Sequence, residues 1–461
     1  MDLAWLRMES PTNPMMITAL IRFTGQINYD RLITDLDVTF KRYRRFRQRI
    51  VRPDKLFQRP YWDDVPSFRV EDHVERMDLR LPADDMALQE LINQKMNTDL
   101  DFAHPLWKLT LVNNHTDGSI IIVRVHHCIA DGISLMQVLL QLTHAAADTP
   151  GAQAPVEPQN RDGHQTQRTP AIIQTASQAS STISAAYPET PVPKTGGKTL
   201  YRNPGITDMI AALARILFRS PDPPTILKGP LGWVKKAVGA EPFSLPEIKK
   251  IAQYKQATIN DVLMAVASGA IRRYMDLHGD NRELTIRAFI MVNLRGQTLD
   301  EELGNKFGLV FLNLPINREQ SLERLEAVKS GMDRLKASAE YAVTYIILNV
   351  LGFMPEWIEH LATRFLDTKG TVVATNVPGP RNQLYLADAP IQSIIGWVPQ
   401  SGRIGVGLSI ISYNNQIVVG LNVDAGLIPD PDKFLELFME EYQSLLAAVA
   451  AETVAAETLD S

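Results

Sequence analysis

The sequence predicts an α/β or α+β fold in two parts of similar make-up, and three observations carry that prediction. The chain has 461 residues, more than a single hydrophobic core organises well, so two domains are expected. Runs with the two-residue alternation of strands mix with runs of helical apolar spacing along the whole chain. Between two such stretches, residues 148–203 become rich in Pro, Gln, Thr, Ala, Ser and Gly and lose strong apolar periodicity, apart from a helix-compatible piece at 172–187. The expected organisation is a first part over 1–147, a linker over 148–203 and a second part over 204–461.

In the first part, ITALIRF (17–23) alternates as a strand. Residues 29–40 fit a helix with Leu32, Ile33, Leu36 and Phe40 on one face. Residues 86–96 fit another. Residues 107–113 and 119–125 form a strand pair, with Asp117-Gly118 as the hairpin signal between them. A helix is expected over 134–146.

In the second part, residues 206–218 form an amphipathic helix with its apolar stripe through Ile206, Ile210, Leu213 and Leu217. Residues 245–256 and 258–277 are helical. The latter has an N-cap at Thr258 or Asn260 and Asp261 in its positive first turn. Strands are expected at 286–292, 309–312, 406–413 and 416–423, the last two joined by an Asn414-Asn415 turn. Residues 431–450 close the chain as a helix.

Hydrophobic residues at 45% and charged residues at 21% are ordinary globular proportions. A net charge of −5 gives no global electrostatic reason to bind nucleic acid. The single cysteine, Cys128, excludes an intrachain disulfide and suits a reducing compartment. The N-terminus lacks a basic segment followed by an apolar run, so no signal peptide is expected. The longest apolar stretch, about 342–354, is broken by Thr344 and Asn349 and falls short of the roughly 20 residues a membrane span needs.

The chemistry concentrates in RVHHCIADGIS (124–134). A β-rich run, SIIIVRV (119–125), leads into the histidine pair. Successive side chains on a strand face opposite ways, so His126 and His127 cannot both face one pocket while the strand persists. One is then a chemical residue and the other a structural one. Asp131-Gly132 supplies a turn before the next helix, with Gly132 admitting a backbone angle that other residues resist. An imidazole with an ordinary pKa near 6.5 suits general-base work on a hydroxyl or thiol attacking an acyl carbon. Two satisfied structural histidines are the competing reading. A metal site is disfavoured, because the remaining histidines form no spaced ligand set. Cys128 reads as a small buried side chain rather than a nucleophile.

HHCIADG (126–132) resembles the HHxxxDG motif of the CoA-dependent acyltransferase superfamily. Further stretches resemble its bacterial wax ester synthase/diacylglycerol acyltransferase family: ESPTNPM (9–15), DFAHPLW (101–107), ATINDVLMAVASGAIRRY (257–274), MVNLR (291–295), GNKFG (304–308), TNVPGP (375–380) and LSIISYN…VGLNVD (408–424). They occur in the family's order and span nearly the whole chain. Met264 replaces a leucine and Met291 a proline of the family pattern. The DFGWG element of the plant branch is absent.

The resemblance implies two similar lobes, each a mixed sheet with flanking helices, joined by a long crossover with a tunnel between them. It implies a long-chain O-acyltransferase that uses acyl-CoA as co-substrate and no cofactor. The acceptor is a fatty alcohol or diacylglycerol, so the products are wax esters or triacylglycerol. A related enzyme with a non-lipid acceptor and a non-catalytic lipid-binding protein on the same fold are the alternatives. His127 is the implied general base, with His126, Asp131 and Gly132 completing the motif. Asp131 is implied to shape the loop through an ion pair with an arginine, for which Arg295 is the candidate. Asn260 has two readings, a hydrogen bond to the acyl or acceptor group and helix capping. Asn376 also has two, an amide near the thioester and a residue of an ordering Pro/Gly turn. No metal ligand is implied. The expected location is cytoplasmic, with peripheral attachment to the inner face of a membrane or to lipid inclusions.

Two surface features stay open at this level. KRYRRFRQRIVR (41–52) carries seven Lys or Arg among twelve residues. It is either a solvated helix end leading into a strand or a contact for CoA phosphates or anionic lipid. Residues 206–218 with Arg215 and Arg219, and YIILNVLGF (345–353) followed by Trp357, are either core-facing or membrane-facing.

Overall fold

The computed structural model describes residues 2–53, 59–144, 204–295, 303–400 and 402–460. The expected linker and its helix-compatible piece at 172–187 lie outside the described residues. The first part carries α1 (Asp2–Met8), β1 (Met16–Phe23), α2 (Tyr29–Arg42), β2 (Gln48–Val51), β3 (Tyr61–Asp64), β4 (Val74–Met77), α3 (Asp85–Met96), β5 (Trp107–His115), β6 (Gly118–His126) and α4 (Gly132–Leu142). The second begins with α5 (Ile206–Phe218), β7 (Lys235–Gly239), β8 (Phe243–Ser244), α6 (Leu245–Tyr254), α7 (Ile259–Leu277), β9 (Ile286–Asn293) and β10 (Phe307–Leu314). It continues with α8 (Ser321–Lys336), α9 (Glu340–Leu351), α10 (Glu356–Asp367), β11 (Val372–Pro378), β12 (Tyr385–Leu386), β13 (Ala389–Trp397), β14 (Val406–Tyr413), β15 (Gln416–Asp424) and α11 (Pro431–Asp460). The mixed α/β class read from the sequence is the observed one.

One sheet runs β12-β13-β1-β6-β5-β4, and the other β10-β9-β11-β14-β15-β7 with β8 beside β15. The first sheet is therefore not built from residues 1–147 alone. β13, from beyond residue 388, pairs antiparallel with β1, Leu20 opposite Ile395. The same strand reaches back to the second sheet, because the Trp397 indole N–H donates to the Val238 carbonyl at 2.9 Å. A division at 148–203 leaves β13 on the wrong side for its sheet.

Local chemistry explains the hairpins. Asn414 and Asn415 both have positive φ, 48° and 60°, the pairing a type I′ turn requires and asparagine tolerates. They set Tyr413 opposite Gln416. Gly118 has φ +144°, and an added Cβ would stand 2.7 Å from the Gly25 amide nitrogen. The hairpin before β6 therefore has no room for a side chain at that position.

The second core surrounds α7, whose residues from Asp261 to Ile271 are all buried. That run is buried all round, mostly by apolar residues, with Gly269 leaving room for the buried Glu441 side chain of α11. Its N-cap is Thr258, whose hydroxyl accepts the Asp261 N–H at 3.2 Å, while Asp261 returns a bond to the Thr258 N–H at 2.8 Å. Asn260 is not the cap. α4 starts at Gly132, earlier than the expected 134, because Asp131 caps it. It ends at Leu142, where Thr143 turns extended.

α5 spans the expected residues, and of the two orientations left open its apolar stripe takes the outward one. Ala212 and Ile216 are buried, whereas Ile206, Ile210, Leu213 and Leu217 are exposed. The run at 41–52 finishes α2 and leads into β2, and its charges are largely matched. Lys41, Arg44, Arg45, Arg49 and Arg52 pair with Asp37, Asp64, Asp2, Asp63 and Glu9. Mostly exposed pairs of this kind add little stability, but they leave the run with few free charges for a phosphate.

Candidate active site

β6 ends at His126, so the two histidines part company there. His126 is buried, and its Nδ1 accepts the Cys128 backbone N–H at 3.1 Å. A neutral ring that accepts at Nδ1 carries its proton on Nε2, and Nε2 lies 3.5 Å from a Glu9 carboxylate oxygen. The protein thus anchors His126 through Nδ1, while Nε2 faces Glu9 with no hydrogen-bond partner among the described residues.

His127 is held by its backbone instead. Its N–H donates to the Met15 carbonyl at 2.7 Å, and its carbonyl accepts from the Asn305 amide at 2.9 Å. The ring stacks on Trp5, centroids 4.1 Å apart and planes 18° apart. Its Nδ1 is buried with no hydrogen-bond partner among the described residues. Burial is the main influence on the imidazole and pushes its pKa down to about 4, with the charge of Asp131 opposing. At neutral pH the ring is uncharged, which leaves it free to accept a proton.

The ring borders an apolar cavity of about 160 Å³. Alternate residues of the strands face it: Ile17, Ala19 and Ile21 of β1; Ile121, Val123 and Val125 of β6; Thr375 and Val377 of β11; Ser409 and Ile411 of β14. Leu32 and Leu36 of α2 and Leu135, Met136 and Leu139 of α4 close the other side. Among the described residues that line it, His127 is the one titratable side chain. A smaller apolar cavity of about 50 Å³ lies on the far side of Trp5, between β9, β10, α9 and α10. Met291 borders both cavities.

Asp131 and Arg295 meet, as expected from the sequence. A guanidinium nitrogen stands 2.6 Å from Asp131 Oδ2, with the side chains only 3% and 7% exposed for Arg295 and Asp131. Asp131 Oδ1 accepts the Ser134 N–H at 3.0 Å and caps α4, and Oδ2 also accepts the Lys306 N–H at 3.1 Å. Arg295 donates to the Gly304 carbonyl as well. The carboxylate is committed to the loop, so no direct relay to His127 is built.

Other expectations need correction. Gly132 is not among the residues of positive φ. Its lack of a side chain matters for space, since an added Cβ would stand 3.1 Å from Val377 Cγ2 at the cavity wall. Gly132→Val is expected to cost about 1–3 kcal/mol by overpacking, measured by urea denaturation; an unchanged midpoint would mean that the wall yields. Asn376 falls between Thr375 and Val377 on β11, and strand alternation turns it to the face away from the cavity. Asn260 is half-buried near the start of α7 and does not border the cavity either. Cys128 is fully enclosed, and burial raises its thiol pKa well above the ordinary value, which keeps it from acting as a thiolate.

No local pattern signals the part played by α1. Asp2 pairs with Arg45 at 2.6 Å and accepts from Asn305 at 3.0 Å, while Arg45 also donates to the Cys128 carbonyl at 3.2 Å. These contacts tie α1, the histidine loop and the GNKFG strap (304–308) together and set Trp5 against His127. The strap is visible as a motif, but its partners are not.

Comparison with known proteins gives a consistent picture. A family model described as the wax ester synthase/diacylglycerol acyltransferase catalytic domain matches residues 1–263. A second, the WS/DGAT C-terminal domain, matches residues 303–446. The O-acyltransferase WSD of Acinetobacter baylyi is 24% identical over 477 aligned residues, covering 97% of this chain and 96% of that protein. A Mycobacterium tuberculosis protein named as a probable diacylglycerol O-acyltransferase is 25% identical, covering 84% of this chain and 81% of its own length. The solved wax ester synthase/diacylglycerol acyltransferase of Marinobacter aquaeolei superposes with a TM-score of 0.66 at 18% identity, over 97% of this chain and 98% of that one. The first condensation domain of the calcium-dependent antibiotic synthetase superposes at 0.62 and 13% identity, over 97% and 94%. These two likenesses concern the fold.

Proposed function

The chain belongs to the wax ester synthase/diacylglycerol acyltransferase family and is an acyltransferase of that type; from that premise we propose that it moves a long-chain acyl group from acyl-CoA to the hydroxyl of a fatty alcohol or diacylglycerol, with His127 as the base. The observation that carries this reading is a neutral imidazole as the one titratable group on an apolar cavity, among the described lining residues.

The chemistry needs no covalent enzyme intermediate. His127 takes the hydroxyl proton as the alcohol oxygen attacks the thioester carbon. The tetrahedral intermediate then collapses, the carbon–sulfur bond breaks, and the proton passes to the leaving thiolate. The products are an ester and free CoA. The Asp131 carboxylate favours the transient imidazolium, and the apolar walls exclude water that would hydrolyse the thioester. A site near the surface of a membrane or lipid inclusion suits such substrates. Among the described residues no helix is long and apolar enough to cross a membrane.

The test is free-thiol release from palmitoyl-CoA with hexadecanol or dioleoylglycerol. Release with neither acceptor from folded protein would overturn the reading. The pH profile adds a second check. With the His127 pKa at about 4, kcat/KM is expected to stay level from pH 8 down to about pH 5. Half-maximal activity near pH 6.5 would indicate an ordinary, solvated base. The stability sign is opposite to that of a paired histidine. Folding holds this ring neutral, so the unfolded chain binds more protons between about pH 6.5 and 4, and His127's contribution to stability falls as pH falls through that window.

A further inference from the structure

An open cavity of about 560 Å³ lies between α5, the N-terminal end of β9, α8 and the start of α9. Four arginines line it, Arg215, Arg219, Arg287 and Arg334, against two acids, Asp208 and Glu340. Arg287 is committed to Asp222 at 2.8 Å, and Asp208 accepts the Gly205 N–H at 3.1 Å. Arg219 pairs with Glu340 at 2.5 Å and lies over the Phe311 ring. Its Nη1 is nonetheless buried with no hydrogen-bond partner among the described residues. Arg334 donates to the Ser330 hydroxyl at 2.7 Å. Neither Arg215 nor Arg334 makes an ion pair with a carboxylate among the described residues. The pocket thus holds cationic donors in excess of its acids, the arrangement that suits a phosphate.

The second observation is apolar. α5 turns Ile206, Ile210, Leu217 and Phe218 outward at 79%, 62%, 50% and 87% exposure. The neighbouring α9 and α10 add Val350, Trp357 and Leu361, and Phe353 follows α9, all exposed. An amphipathic helix with an apolar outer stripe and arginines along its flank is built for the boundary of headgroups and acyl chains. The third observation is position. Phe311 borders both this pocket and the small cavity behind Trp5, and Trp5 stacks on His127.

We propose that the pocket between α5, α8 and α9 binds the phosphate of an anionic phospholipid while the α5 stripe enters the acyl region, placing the Phe311–Trp5 cavities against the lipid surface. The phosphate site stands on its own; the delivery of an acceptor toward His127 rests on the function proposed above.

The test is vesicle flotation at low salt, with phosphatidylcholine alone or mixed with phosphatidylglycerol. Wild-type protein is expected to bind the anionic vesicles at least about tenfold more tightly. R215E/R334E should bind both vesicles alike, L217D should weaken binding to both, and each should keep vesicle-free thiol release with a short-chain acyl-CoA and alcohol. Three results overturn the proposal. An anionic preference retained in R215E/R334E assigns the charge elsewhere. A raised KM for acyl-CoA in R215E/R334E, with vesicle binding intact, assigns the phosphate to CoA. A wild-type dimer in sedimentation velocity that L217D disperses assigns the stripe to a second copy. Absence of thiol release in every protein, with the anionic preference intact, removes the acyltransferase mechanism and leaves the lipid site standing.

Discussion

His127→Ala will lower kcat by about three orders of magnitude, within the range that positioned acid–base groups supply, while the chain stays folded. The imidazole is buried, and its Nδ1 is unpartnered among the described residues, so removal strands no hydrogen-bond donor. The cost is the lost stacking on Trp5 and the cavity left behind, about 2–4 kcal/mol by the scale of large-to-small core changes. His126→Ala is the matched control and should show the reverse pattern. It leaves the buried Cys128 N–H without its acceptor, at about 1–3 kcal/mol, and takes the charge-facing ring from Glu9. Activity should fall by far less than in His127→Ala. Urea denaturation and thiol release on both variants decide the matter. Equal losses of turnover at equal stability would show that the pair acts together and that the division between them is wrong.

The separation of the two side chains is legible only in part. Strand alternation divides them if the strand continues through both histidines, whereas β6 ends at His126, and it is the loop after the strand that turns His127 toward the cavity. The hairpins before Gly118 and at Asn414-Asn415 are legible because turn chemistry is local, although the first turn falls one residue earlier than the signal, on Thr116-Asp117 with Gly118 already opposite His115. The span of α5 follows residue for residue from its periodicity, yet its orientation does not. Periodicity shows that a helix has a stripe and says nothing of what covers it. The facing of Asn376 is not legible, because TNVPGP reads as a Pro/Gly turn and the sequence predicts no strand over 372–378; once β11 forms there, alternation turns Asn376 away from the cavity. β13 joining the first sheet, and Trp5 stacking on His127 from far along the chain, depend on long-range pairing that no local pattern encodes.

Asp131 and Arg295 provide the second large effect, on stability first and on rate through it. Asp131→Asn keeps an amide oxygen able to cap α4, but it removes the charge and puts an NH2 donor where Oδ2 accepts from the Lys306 N–H and Arg295. It leaves a guanidinium that is only 3% exposed without its counter-ion, and breaking such a pair from one side costs about 3–5 kcal/mol. Arg295→Ala leaves the carboxylate to the Ser134 and Lys306 N–H groups, so its loss should be smaller. The double variant Asp131→Asn/Arg295→Ala should be more stable than the sum of the two losses predicts, because neither charge is then stranded. The coupling should exceed about 1.5 kcal/mol. The rate follows from the same geometry. Arg295 and Asp131 both hold the Gly304–Lys306 strap, and Asn305 in that strap holds the His127 carbonyl. A loosened strap misplaces the base, and a displacement of about 1 Å can cost about a hundredfold in rate. Urea denaturation of the four proteins gives the coupling, and thiol release under conditions where each is folded gives the rate. Strictly additive losses, with turnover unchanged in Asp131→Asn, would mean that the pair is incidental to the loop and that the strap holds His127 by other means.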